Sequence, residues 1–217
     1  MPVDAITWRK AVARPAFIRA MASGCLAGLA VVWVLPRFFA WIQAKPGLLL
    51  HDPVLTVWGP ENVTWATFAV LYGTLLLVIS SIARQPMKVM LGLWAYVLML
   101  LMRMACMALL TLEPPPGIIP LIDPFTQLFY PAADPFLKDL FFSGHTATLA
   151  LMAMLARKGW VRWAAMAATG IIGLLVLVQH VHWTVDVLAA IPASWIAWSA
   201  ARWLLRATGA VIFSEGA

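Results

Sequence analysis

Long apolar runs dominate this chain and constrain its fold more than any other feature. Hydrophobic residues make up 63% of its 217 residues and charged residues only 11%, whereas a soluble domain carries about a quarter charged residues. Runs of about 20 apolar residues are typical of membrane-spanning helices. We therefore predict an all-α integral membrane bundle of six transmembrane helices, at residues 17–40, 63–83, 87–111, 142–157, 160–180 and 183–205.

Basic residues are unevenly divided between the two sides of the predicted membrane. The net charge is +6, but the basic residues fall between apolar spans and do not form one continuous run. Their placement therefore indicates membrane topology, and no nucleic-acid partner is expected. Cytoplasmic loops are enriched in Lys and Arg, so both termini are predicted to be cytoplasmic. That side carries Arg9, Lys10, Arg14, Arg19, Arg84, Lys88, Arg157, Lys158, Arg162, Arg202 and Arg206, and the other side carries Arg37, Lys45, Arg103 and Lys138.

The organisation along the chain is that of a single membrane domain, residues 1–217. Residues 1–15 are predicted to form a basic interfacial segment with Trp8 as an anchor. Residues 113–141 form a Pro-rich outer loop that could lie as a lid at the headgroup level. Two cysteines inside apolar spans suggest neither a disulfide framework nor a metal site, and no cofactor is expected. The oligomeric state is left open.

The stretch HVHWTVDVLAA, residues 180–190, carries the first candidate catalytic pair. His182 and Asp186 are four residues apart, which on a helix places both on one face. The carboxylate can then hold one ring nitrogen and leave the other free as a nucleophile or base. The alternative is a His–Asp pair that only caps a helix. His180 is assigned to an interfacial position and His51 to a loop turn.

The stretch FFSGHTATLAL, residues 141–151, carries the second group. Ser143 is a good N-cap, and Gly144 would let an anion approach the first amides of the helix. His145 adds a proton donor at the same place. Arg103, inside an apolar helix, requires an anionic partner. That partner could be Glu113 or Asp186, or it could be a substrate phosphate.

These motifs, in order, resemble the sphingomyelin synthase branch of the type 2 phosphatidic acid phosphatase superfamily. That branch carries an SGHT motif and an H-[YW]-T-[IV]-D-V motif in its last helices. The stretch from Arg103 to TLEPPPG resembles the Arg and Thr-Leu-x-Pro segment of its third helix. The resemblance covers roughly residues 100–190.

The resemblance implies a six-helix membrane enzyme with both termini in the cytosol and roles for the candidate residues. His182 would attack phosphorus and become phosphorylated, held by Asp186. His145 would protonate the leaving group, such as diacylglycerol, and later take the acceptor's proton. Arg103 would contact the phosphate, and Ser143 and Gly144 would seat it.

The chain departs from the superfamily's phosphatases, which carry a Lys-x6-Arg-Pro motif and a Ser-Arg pair before the last histidine. Neither is present; Leu175 stands seven residues before His182. A phosphomonoester is close to doubly charged at neutral pH, whereas a diester carries a single charge, so a site with few cations suits the diester. Glu113 stands where the branch has an uncharged residue, and could attract a choline or ethanolamine cation.

We therefore predict a membrane lipid phosphotransferase that moves phosphocholine or phosphoethanolamine from a glycerophospholipid to a lipid alcohol such as ceramide. Its site would face the non-cytoplasmic side, the periplasm in a bacterium. Water in place of the lipid acceptor would give a phospholipase-C-like or phosphatase activity. A lipid transporter or non-catalytic membrane protein is the alternative from another class, although transporters usually show broken helices and repeated halves.

Overall fold

Helices account for the regular structure of the protein. The computed structural model describes residues 6–123 and 136–210, and in these two stretches the chain forms seven α-helices and no β-strand. The all-α prediction is thus confirmed for this part of the chain. The helices are α1 (Trp8–Val12), α2 (Pro15–Ala44), α3 (Thr64–Ile82), α4 (Pro86–Leu109), α5 (Gly144–Leu155), α6 (Trp160–Val178) and α7 (Thr184–Ala207).

Five of these helices, α2, α3, α4, α6 and α7, are long and apolar enough to cross a membrane. The fourth predicted span corresponds to α5, which has only 12 residues. At about 1.5 Å per residue α5 is about 18 Å long, less than the ~30 Å of a hydrocarbon core. Five candidate spans are therefore found, and the sixth stays a prediction.

The short helix α5 lies in the middle of the bundle. It packs against α3, α4, α6 and α7, and apolar residues on all its sides are buried, among them Leu149, Leu151 and Leu155. A helix that is apolar all round is buried in this way. By contrast α2 packs mainly on α4 and is mostly exposed.

Long-range contacts show which helix ends lie together. The Nζ of Lys45, after α2, donates to the carbonyl of Ala108 in α4 (3.0 Å), and Val63 N, before α3, donates to Gln179 after α6 (3.2 Å). These two hydrogen bonds and the contacts of the site residues show that six helix ends lie together. They are the last residues of α2, α4 and α6 and the first residues of α3, α5 and α7. We call this the site end of the bundle; which side of a membrane it faces stays a prediction.

The N-terminal segment lies at the opposite end. Residues 1–5 are outside the described part, and α1 is five residues long. The indole of Trp8 donates to the carbonyl of Ala83, just after α3 (2.7 Å). Trp8 thus contacts the bundle itself, and the interfacial role predicted for residues 1–15 is untested.

The Pro-rich loop predicted at 113–141 lies only partly in the described residues. Its first part, to Asp123, is non-helical, and Ile119 N donates to the carbonyl of Gln179 (3.2 Å). Residues 124–135 lie outside the described part, so the lid prediction is untested.

Candidate active site

The starts of α5 and α7 are joined at the site end. Ser143 N, immediately before α5, donates to the carbonyl of Asp186 in the first turn of α7 (3.0 Å). Deeper in the bundle, Ser194 Oγ in α7 donates to the carbonyl of Ala147 in α5 (2.9 Å). These hydrogen bonds bring the two stretches singled out in the sequence into one place, although 43 residues separate Ser143 from Asp186 in the numbering.

The imidazole of His182 lies against the carboxylate of Asp186. The distance from His182 Nδ1 to Asp186 Oδ2 is 3.3 Å, and both residues are buried. The same oxygen accepts a hydrogen bond from Trp183 N (3.1 Å). If Nδ1 carries the proton and donates to the carboxylate, the lone pair of Nε2 is free to react.

The reason given from the sequence for this pair was partly wrong. The two residues were expected on one helical face, but His182 precedes the N-cap residue Trp183 and lies in the turn between α6 and α7. The pair forms because Asp186 occupies the third position of α7, where an acidic side chain reaches back to the residues before the helix.

His145, the second residue of α5, faces the same region as His182. The two ring centroids are 6.4 Å apart with an interplanar angle of 64°, and Phe68 in α3 presents its ring to His145 at 6.0 Å. If both rings act on one phosphoryl group, the attacking nitrogen of His182 must lie ~3–3.5 Å from phosphorus. A nitrogen of His145 must lie within hydrogen-bond distance, ~2.6–3.2 Å, of an oxygen on the same group. The spacing is therefore compatible with two imidazoles acting on a single phosphate.

Arg103 in α4 is bound to the segment before α5. Its Nη1 lies 2.8 Å from the carboxylate of Asp139, its Nη2 donates to the Asp139 carbonyl (3.1 Å), and its Nε donates to the Phe142 carbonyl (2.7 Å). The anionic partner expected within the protein, Glu113 or Asp186, was wrong, because Asp139 takes that place. A guanidinium has five N–H groups, so two remain for another ligand in this arrangement.

Gly144 is required by the close approach of this guanidinium. A Cβ at residue 144 would lie 2.9 Å from Arg103 Cζ and 3.0 Å from Nη1, closer than packed atoms tolerate. The sequence explained Gly144 by the approach of an anion; the structure adds the approach of a cationic side chain. Arg103 consequently lies directly beside the N-terminus of the helix that carries His145.

Ser143 is the N-cap of α5, as predicted. Its side chain accepts a hydrogen bond from Thr146 N (3.4 Å) and lies 3.1 Å from Thr146 Oγ1. Because Ser143 is fully buried, its hydroxyl serves the helix start. Its contact with a substrate stays a prediction.

Glu113 has partners within the protein. Its Oε1 lies 2.8 Å from Lys138 Nζ and accepts a hydrogen bond from Gly47 N (2.7 Å). The hydrogen bond from Lys138, followed by that from Gly47, lowers the pKa of Glu113 below its usual value. A headgroup cation would have to compete with Lys138 for this carboxylate.

Several residues that support the site were missed in the sequence. Asp52 Oδ2 accepts from Thr184 N, the first residue of α7 (2.7 Å). Gln179 is fully buried and connects the start of α3 to the loop at Ile119. His180, expected at an interface, is buried with φ 56°, and its Nδ1 lies 3.2 Å from the carbonyl of Pro116. A polar residue at the very end of an apolar span, as Gln179 is, was the available signal.

Comparison with known proteins gives one match. Residues 138–204 match the family model described as PAP2 superfamily C-terminal. The matched region contains Ser143, Gly144, His145, His182 and Asp186, and leaves Arg103 and Glu113 outside. No curated protein and no solved structure shows significant similarity to the chain.

The match thus covers 67 of the 217 residues, and over this part the chain is similar to the C-terminal region of the PAP2 superfamily. Five helices long and apolar enough to cross a membrane accompany this match, and three of its five candidate residues, His145, His182 and Asp186, are the ones that the sequence assigned to catalysis.

Proposed function

We propose that the protein is a lipid headgroup phosphotransferase that acts through a phosphohistidine. The observation that carries the proposal is the placement of two imidazoles 6.4 Å apart, one of them held by a buried carboxylate, beside a guanidinium. A lone His–Asp pair would suit a helix cap. A second imidazole and a cation next to it are the groups that phosphoryl transfer requires.

In the first half-reaction, His182 Nε2 attacks the phosphorus of a glycerophospholipid. The P–N bond forms, the bond from phosphorus to the diacylglycerol oxygen breaks, and His145 gives its proton to that oxygen. Asp186 accepts the Nδ1 hydrogen bond and stabilises the positive charge that develops on the ring. Arg103 offers its two remaining N–H groups to the phosphoryl oxygens.

In the second half-reaction, a hydroxyl group attacks the phosphohistidine. His145, now neutral, takes the proton of that hydroxyl, the new P–O bond forms and the P–N bond to His182 breaks. A lipid alcohol such as ceramide yields a new phospholipid, and water yields the free phosphorylated headgroup. Both outcomes use the same residues, so the acceptor alone distinguishes a transferase from a hydrolase.

The charge balance at the site end favours a phosphodiester substrate. Two of its cations are compensated by carboxylates, Arg103 by Asp139 and Lys138 by Glu113. A monoester, close to two negative charges at neutral pH, would find little net positive charge here. A singly charged diester such as phosphatidylcholine or phosphatidylethanolamine needs less.

The test is turnover of headgroup-labelled phosphatidylcholine and phosphatidylethanolamine by the purified protein, with and without ceramide. We expect labelled headgroup on ceramide in excess of free headgroup, and an acid-labile label on the protein when no acceptor is added. Label released to water at least as fast as it reaches ceramide would show a hydrolase and contradict the transferase.

Two histidine variants provide the matched comparison. His182→Ala should abolish turnover and the protein-bound label, whereas His51→Ala, at an exposed position in the first loop of the site end, should leave both unchanged. Equal turnover by the wild type and His182→Ala would contradict the enzymatic proposal and favour the transporter or non-catalytic alternative.

A further inference from the structure

A long apolar groove runs down the bundle from the candidate active site. It has a volume of about 510 Å³ and lies between α5, α6 and α7. Its walls include Met154, Met166, Leu174 and Ile191. The volume lies in the range of ligand sites, about 300–1,000 Å³, and the lining suits a hydrocarbon ligand.

One end of the groove adjoins the residues of the site. Thr146, which follows His145 in α5, and Thr184, two residues after His182, both line it. Because α5 and α7 start at the site end and α6 ends there, Leu177 also belongs to this end. Neither His145 nor His182 lines the groove itself, so a molecule whose polar part lies between the two histidines would enter it past Thr146 and Thr184.

The other end of the groove is marked by Arg162, near the start of α6. From Leu177 to Arg162 the groove follows α6 for about 22 Å, at 1.5 Å per residue. One leaflet of a bilayer has a hydrocarbon depth of about 15 Å, half of the ~30 Å core. The groove is thus long enough for one lipid tail. An apolar ligand should not extend past the guanidinium of Arg162, because contact with hydrocarbon would remove water from its charge.

A glycine in α6 leaves space in the wall of this groove. Gly170 lines it, and a Cβ built there meets no atom within 4 Å. Gly173, one turn closer to the site, is different, because its Cβ would lie 2.9 Å from Val187 Cγ1. Gly173 serves helix packing, whereas a larger side chain at Gly170 would enter the groove without disturbing a neighbour.

We propose that this groove seats one acyl chain of the lipid substrate while its phosphate lies between His145 and His182. The inference rests on the proposed function, since it names the part of the same substrate that the groove holds. A tail held in the groove also fixes the direction of the substrate relative to the two histidines, which helps to position a substrate whose phosphate contacts are few.

The closing experiment obstructs the groove with Gly170→Leu. Gly170 lies about 10 Å below the Leu177 end, a distance that a dipalmitoyl tail must pass and a dioctanoyl tail barely reaches. We expect kcat/KM for dipalmitoyl phosphatidylcholine to fall ~10-fold or more, with dioctanoyl phosphatidylcholine within ~3-fold of the wild type. In a second series the chains of ceramide are varied with the donor kept constant, and Gly170→Leu should behave there like the wild type, because the tail in the groove belongs to the donor.

The matched control is Gly73→Leu in α3. Gly73 is also a glycine of a membrane helix, is exposed, and has no atom within 4 Å of its built Cβ, but it does not line the groove. This variant should keep the wild-type ratio between long and short chains. If Gly170→Leu leaves that ratio unchanged in the donor series, or changes it only in the ceramide series, the groove is contradicted, while turnover itself persists and the proposed function stands.

A second readout does not depend on turnover. A phosphatidylcholine with a photoactivatable group in the middle of its acyl chain should label the buried lining residues Ala153 or Thr169 in the wild type, and much less in Gly170→Leu. Labelling confined to other surfaces would overturn the groove even if the protein proves to be inactive. Absence of turnover would contradict the proposed function separately.

Discussion

Replacement of Asp186 tests the interaction on which the site depends most. Asp186 Oδ2 accepts from both His182 Nδ1 and Trp183 N, whereas Oδ1 is buried with no hydrogen-bond partner among the described residues. An asparagine can place its carbonyl oxygen at the Oδ2 position and its NH₂ at the Oδ1 position. Asp186→Asn should therefore keep both hydrogen bonds and the histidine tautomer, and lose only the negative charge.

The size of this loss follows from the kind of hydrogen bond that remains. A hydrogen bond to a charged group contributes about 1.5–3 kcal/mol and a neutral one about 0.5–1.5 kcal/mol. The difference, about 1–2 kcal/mol, applies when the ring of His182 becomes positive, and corresponds to a ~5–30-fold loss in kcat. Asp186→Ala removes the acceptor altogether and leaves the tautomer unenforced, so its loss should approach the ~10⁴-fold that accompanies the wrong tautomer of a catalytic histidine.

The assay is turnover of labelled phospholipid by both variants, with thermal unfolding measured in the same detergent. Asp186→Asn should unfold within a few degrees of the wild type, because Trp183 N keeps its acceptor. The reasoning is refuted if both variants lose the same factor, or if Asp186→Asn is within twofold of the wild type. Either result would mean that the carboxylate does not act on His182.

Three further results are expected. Gly144→Ala should lower both the unfolding temperature and turnover, because its Cβ would lie 2.9 Å from Arg103 Cζ; unchanged values for both would contradict this close packing. The hydrogen bonds from Lys138 and Gly47 lower the pKa of Glu113, so the stability that its carboxylate contributes is complete above the ordinary pKa of about 4.3 and is lost as the pH falls through the lower pKa of the folded state. Between pH ~6 and pH ~3 the unfolding temperature of Glu113→Gln should therefore fall less than that of the wild type. Parallel curves of unfolding temperature against pH would count against the ion pair. Nucleophilic attack by a neutral imidazole needs no metal, so EDTA should leave turnover intact, and strict loss of activity would require a different mechanism.

The helical spans were predictable because charged residues and prolines bound the apolar runs. The predicted span 63–83 is found as Thr64–Ile82, and 160–180 as Trp160–Val178. The span 142–157 was recognised, but its helix is only Gly144–Leu155. Apolar composition marks a segment as buried without saying whether lipid or other helices surround it, and here the surroundings are largely helices.

Within the site, contacts between residues close in sequence were predictable. Ser143 caps α5 three residues before Thr146, and Asp186 reaches His182 four residues before it. Such separations are set by the geometry of a helix start, whatever the rest of the fold does.

Long-range partners of charged side chains were not predictable in the same way. Arg103 finds Asp139 at a separation of 36 residues, and Asp52 finds Thr184 at 132 residues. Every carboxylate on the same side of the predicted membrane was a candidate for Arg103, and only the packing of α4 against α5 and α7 selects one. The approach of Arg103 to Gly144 depends on the same packing.

The hydrogen bond from Ser143 N to the Asp186 carbonyl joins main-chain atoms. Apart from proline at Ser143, which has no N–H to donate, no side-chain replacement at either position deletes it. Inserting or removing one residue between Ser143 and His145, or between His182 and Asp186, would instead rotate the rest of the helix by about 100°. The residue count of these two segments should thus be kept even where the intervening side chains change. The turn at residues 156–159, at the far end of α5 and α6, has no such tie, and is where length variation or an inserted tag should be tolerated.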